Sequence, residues 1–267
     1  MKKYASLFRI RFINSLQYRG ALIGHILKNY VFGIMEILVY AAIYRTDALR
    51  LPMEFSQLVS YVWMRQIIII LFTVVFSDEE IYTAISSGAV VYDLVRPIGL
   101  YGKWFSQSAA NRVAFTAVNC LPLVFLAALM PKPYRLTLQI PVWQLALFLL
   151  SALLAFLVVV AFAMLMYISL FYIISQRGVR IIVTAVVSFL SGGEIPLVFF
   201  PEKILAVVKL LPFAAMQNMP LQIFAGTVNG MEAVWGIVFQ LFWLAALYLL
   251  GRICMGCALK RVVVQGG

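Results

Sequence analysis

Long apolar runs separated by short polar intervals set the plan of this chain. Runs of membrane-crossing length occupy 22–44, 57–76, 104–130 and 142–174; another begins near 179, and a last covers 233–257. A helix needs about 20 mostly apolar residues to cross ~30 Å of hydrocarbon, so the pattern predicts six transmembrane helices. The fourth run is long enough to require a tilted or projecting helix. The fifth meets Ser191-Gly192-Gly193-Glu194 after about a dozen residues. Residues 192–231 stay apolar but carry Pro196, Pro201, Pro212, Pro220, Gly226 and Gly230. No single helix continues through that punctuation. Short broken or re-entrant helices fit instead, shielded at membrane depth by protein or water.

Two polar intervals have their own pattern. In residues 1–20, Tyr4, Leu7, Phe8, Phe12, Ile13 and Leu16 recur near helical spacing among Lys2, Lys3, Arg9, Arg11 and Arg19. This predicts an amphipathic helix along the membrane surface. Residues 77–103 form the longest polar stretch between runs. Within it, 78–87 reads as a short helix capped by Ser77, with Glu80 as the capping-box partner. Gly88 ends it, and Arg96-Pro97 with Gly99 marks a turn before the next run.

Composition agrees with this plan. The chain has 267 residues, of which 64% are hydrophobic and 12% charged, about half the charged share of an ordinary soluble domain. A single membrane domain over 1–267 is expected. The net charge of +11 lies beside apolar runs, where basic residues face lipid headgroups and fix orientation, so membrane lipids rather than nucleic acid are the expected partners. Thirteen of the 21 Lys and Arg residues fall in the intervals 1–28, 77–103 and 175–180 and at the C-terminal end, against six in the alternate loops. This predicts a multi-pass protein of the plasma membrane with both termini cytoplasmic. The basic start, with no A-x-A-like site, predicts no cleavable signal peptide.

Candidate chemistry is sparse. Gly102-Lys103 is followed by Trp104, and Pro97 stands where a P-loop needs its first Gly, so this chain is not expected to hydrolyse ATP by that route. His25 is the only histidine, and Asp78-Glu79-Glu80 matches no metal-ligand spacing; neither a catalytic nor a metal site is expected. Cys254 and Cys257 read as small side chains of a buried helix rather than a redox pair. Glu36 is the costliest residue, a carboxylate in mid-run, with Arg65 and Arg112 as candidate partners. It is open to two readings, a substrate-pathway residue or a structural pair between helices. Glu194 stands at the break in the fifth run, either aimed at a pathway or exposed at a helix end.

These features together resemble the ABC-2-type permease family, the membrane subunits of ATP-binding-cassette exporters. The resemblance rests on the amphipathic start, the six runs, the interval DEEIYTAISSGAVVYDLVRPIGL and the segment GGEIPLVFFPEKILAVVKLLPFAAMQNMPLQIFAG. Within the family the chain is similar to small six-helix permeases of the viologen or multidrug exporter type. The resemblance implies an all-α membrane protein with an interfacial helix (1–20), a cytoplasmic coupling helix within 77–103 and a re-entrant outer segment (192–231). It implies two ABC ATPase subunits per complex, which hold the ATP and Mg, and a second permease, identical or paralogous. No cofactor is then expected on this chain. The expected ATPase-coupling residues are Asp78, Glu79, Glu80, Ile81, Tyr82, Ile85 and Gly88, with Phe8, Arg9 and Phe12 of the first helix; the expected substrate-pathway residues are Glu36, Arg65, Arg112 and Glu194. A membrane-embedded lipid-modifying enzyme and an ATP-independent channel or scaffold remain the rival readings.

Overall fold

The computed structural model describes residues 2–15, 19–45, 53–75, 78–137, 140–173 and 176–260, and among them there is no β-strand. The described residues form eleven α-helices, in order α1 Lys2–Ser15, α2 Arg19–Arg45, α3 Phe55–Phe72, α4 Glu79–Ser86, α5 Val90–Leu94, α6 Leu100–Leu129, α7 Val142–Ser169, α8 Gln176–Leu190, α9 Glu202–Val208, α10 Met219–Ala225 and α11 Gly230–Leu259. A 3-10 turn, Leu197–Phe199, precedes α9, and a π-helical stretch, Ala214–Asn218, precedes α10.

Among the described residues five helices, namely α2 from Ile23 onward, α3, α6, α7 and α11, are long and apolar enough to cross a membrane. The fifth run differs from expectation. It yields α8, whose 15 residues extend only about 22 Å. The Gly192-Gly193 break follows almost at once, and Gly192 takes a positive φ of 76°. The fourth run is also shorter than expected, since α7 stops at Ser169.

The centre of the bundle is α3 and α7. Every residue of α3 from Leu58 to Ile68 is buried, and α7 buries most of its length. Around them pack α2, α6, α10 and α11, with α1 laid along α6. The outward faces of α2, α6 and α11 expose Phe32, Met35, Leu121, Phe125, Trp235 and Phe242, which water would not tolerate as a continuous belt.

Buried amides tie these helices together. Asn119 Nδ2 donates to the Ile67 carbonyl at 3.2 Å, Gln144 Nε2 to Ile223 at 2.6 Å, and Gln240 Nε2 to Ala215 at 3.0 Å. The last has a local cause. Ala215 lies in the π stretch, and Pro220, five residues on, has no N–H to offer its carbonyl. The segment after α8 is thus broken as expected, and its second half, 214–225, is buried within the bundle almost throughout. Cys254 and Cys257 lie on α11 and are unbridged.

The first helix is held by a close approach. A Cβ at Gly102 would lie 2.7 Å from the Tyr4 ring, so any larger residue here would have to push that ring aside. Gly102→Ala should displace Tyr4 at an overpacking cost of about 1–3 kcal/mol. Trypsin cleavage at Arg9 should then quicken several-fold; an unchanged rate would show that α1 is anchored elsewhere.

Candidate functional site

At one end of the bundle, α4 and α5 connect the end of α3 to the start of α6. The short helix begins one residue later than expected, and Asp78 occupies the cap position without making a side-chain cap bond. Ser77, the expected cap, lies outside the described residues. Gly88, with φ 73°, turns the chain after α4 where a residue with a side chain would be strained.

Asp78 points inward instead. Its carboxylate accepts from Arg112 Nη1 at 3.1 Å, from Ser108 Oγ at 3.1 Å, from Asn111 Nδ2 at 3.5 Å and from the Tyr167 hydroxyl. Both charged side chains of the Asp78–Arg112 pair have 0% exposure. The Arg112 guanidinium also donates from Nε to the Thr73 carbonyl at 3.2 Å, and from Nη2 to Val74 at 2.6 Å. One buried cation thereby binds the C-terminal end of α3, the start of α4 and its own helix, and Asp78 adds α7 through Tyr167. Arg112 is therefore no partner of Glu36, and it is sealed from any open path.

The expected ATPase-coupling residues separate into two groups. Asp78, Ile81 and Tyr82 are each 1% exposed and face the interior, while Ile85 is half-buried. Tyr82 packs edge-on against Tyr167 at 5.4 Å, and Arg180 of α8 lies 4.1 Å over its ring. Burial pushes the Tyr82 phenol above its ordinary pKa, with the Arg180 charge opposing. Glu79, Glu80 and Gly88 are exposed. Glu79 pairs with Arg180 at 3.0 Å and Glu80 with Arg11 of α1 at 2.6 Å. Of the expected α1 residues, Phe8 and Phe12 are half-buried and stacked, and Arg9 is exposed.

Towards the other end, Arg65 of α3 donates from Nη2 to the Glu36 carboxylate of α2 and from Nη1 to the Glu194 carbonyl at 3.3 Å. Glu36 thus has Arg65 as its partner, and Arg65 ties it to the broken segment. The Glu194 carboxylate turns outward and accepts from Ser188 Oγ at 2.7 Å. Between the two ends runs an open groove of about 850 Å³, lined by Glu79, Arg180, Thr184, Ser188 and Glu194 among others. Arg177, Arg180, Thr184 and Ser188 follow one another at intervals of three, four and four residues on α8, which puts them on one face. That spacing was legible in the sequence and was missed, as were Ser108 and Tyr167. A smaller cavity continues from this groove past Ser191 to Gln217.

No group of three or more His, Cys, Asp or Glu side chains comes together among the described residues. What the arrangement offers is mechanical. An exposed acidic helix is tied to α3, α6 and α7 through the Asp78–Arg112 cluster, beside a polar-edged groove that reaches Glu194. A family model described as an ABC-2 family transporter protein matches residues 12–266. No curated protein and no solved structure matches the chain.

Proposed function

The chain belongs to the ABC-2 transporter family, a family of multi-pass membrane transport subunits, and on that premise we propose that it is the permease subunit of an ATP-driven exporter. In this reading α4 is the coupling helix, docked on a separate ATPase that holds the ATP and Mg. Two ATPases and a second permease, identical or paralogous, complete the complex. The termini and α4 lie on the cytoplasmic side of a bacterial plasma membrane. The short α8 serves as the sixth span, and residues 192–231 re-enter from the outer side. The cargo is a lipophilic compound of multidrug type, passed along the α8 groove between permeases.

The observation that carries this reading is the division of α4 into two faces. Its inner face is locked by Asp78, Ile81 and Tyr82 to α6 and α7, so a push on its outer face moves the spans. Its outer acids are held by Arg180 and Arg11 in exposed pairs, which contribute at most about 1 kcal/mol each, and Glu80 also accepts from Gln107 Nε2 of α6 at 3.0 Å. An incoming partner with basic groups can therefore replace them at little cost.

Glu79→Lys with Glu80→Lys keeps Asp78, Ile81 and Tyr82 in place and reverses the outer charge, giving up inward only the bond that Glu80 accepts from Gln107 Nε2 at 3.0 Å, whereas Glu79→Gln with Glu80→Gln keeps an acceptor there. The inserted amount should remain unchanged, while substrate-stimulated ATPase activity of the co-purified complex falls tenfold or more, since like charges facing each other cost several kcal/mol. Full stimulation in that variant, or in Glu79→Gln with Glu80→Gln, would refute α4 as the docking element.

A further inference from the structure

A second cavity, of about 600 Å³, lies between α1, the start of α6 and the end of α11. It shares no lining residue with the α8 groove. Its polar groups are the Arg252 guanidinium, Ser106 and the hydroxyls of Tyr4, Tyr101 and Tyr248; its apolar groups include Phe105, Met255 and Leu259. None of the lining residues carries a carboxylate. Tyr101 is 7% exposed, and its hydroxyl has no hydrogen-bond partner. That hydroxyl is packed against Gly251, so a ligand in the cavity meets the Arg252 guanidinium and the Tyr4 and Tyr248 side chains. Two glycines make room for the rings: a Cβ at Gly102 would strike Tyr4, and one at Gly251 would lie 2.9 Å from Tyr101. The cavity is thus shaped by aromatic side chains around one cation.

The geometry points to a phospholipid in this cavity, its phosphate ester held by Arg252 and the Tyr4 and Tyr248 hydroxyls and its acyl chain lying along Phe105, Met255 and Leu259. A guanidinium with no neighbouring carboxylate selects an anion and repels a cationic cargo. Phosphate is the anion that occurs at the headgroup level of a membrane, where the helix ends bearing Arg252 and Lys260 would sit. The apolar remainder suits a chain rather than a free ion, and the outward faces of Leu249 and Ile253 on α11 continue that surface. This inference rests on the membrane placement of α11 and is independent of ATP coupling.

The test is native mass spectrometry of the full-length chain after exhaustive detergent washing, followed by return of phosphatidylglycerol in mixed micelles. One phospholipid should remain per chain. Its retention should fall about tenfold in Arg252→Gln, which is exposed and leaves the fold intact, and a few-fold in Tyr248→Phe, as expected from loss of a charged and a neutral hydrogen bond respectively. Arg177→Gln in the other groove should leave it unchanged. Millimolar inorganic phosphate or glycerol phosphate should not displace the lipid; displacement would identify a free phosphate as the occupant and overturn the lipid assignment. Equal retention in Arg252→Gln, equal retention of diacylglycerol, or no retained lipid in the parent protein would each overturn it as well.

Discussion

Asp78→Ala should cost about 3–5 kcal/mol and should be the most damaging single substitution at the α4 end. Removing one partner of a buried ion pair leaves the other charge uncompensated. Here the residual charge is Arg112, with 0% exposure, and an arginine cannot shed its proton to escape. Arg112→Met should be milder. A stranded aspartate can take up a proton, and Ser108, Asn111 and Tyr167 still surround it. The double variant Asp78→Asn with Arg112→Met should recover much of the loss, because no isolated charge remains. Fluorescence-detected size-exclusion chromatography after a thermal challenge reads all three. A parent-like Asp78→Ala, or a double variant no more stable than Asp78→Ala, would show that the pair does not hold α4.

Arg112 also shows where sequence reading stops. The apolar runs mark the long helices to within a few residues, because 20-odd apolar positions in a row have one main use. The break that ends the fifth run at Gly192-Gly193 was legible too; what the apolar run did not reveal is that α8, at 15 residues, stays below the length of the other five spans. The connector 77–103 was legible as one helix and contains two, because the five-residue α5 has too few positions for a period to emerge. The acidic run 78–80 looks uniform along the chain. In space its first member turns inward to a cation 34 residues away, while the other two meet α8 and α1. Periodicity describes which face a residue occupies but carries no information about which distant charge it will meet. For the same reason Glu36 had two candidate partners by composition and acquired one only in the fold. The α8 stripe is the opposite case, a helical period present in the sequence whose polar members are spread over 12 residues.

Glu36→Ala should cost about 3 kcal/mol, the scale for an unpaired charge within a membrane span. It strands Arg65, whose side chain is 5% exposed and whose other acceptor is the Glu194 carbonyl. Glu36→Gln should cost less, because the amide oxygen still accepts from the guanidinium. The pair has a second duty besides neutralising charge. Arg65 bridges the α2–α3 contact to Glu194 at the start of the broken segment, and that bond needs a donor on α3. The exchanged variant Glu36→Arg with Arg65→Glu separates the two duties, because a glutamate at 65 cannot donate to a carbonyl. Melting of the purified protein should return most of the way to the parent, whereas transport by the complex in vesicles should stay depressed by about tenfold. Recovery of both would mean that charge neutralisation is the pair's only contribution. Recovery of neither would mean that the reversed pair cannot form at this contact, and parent-like melting of Glu36→Ala would mean that α2 and α3 are held together by their apolar contacts alone.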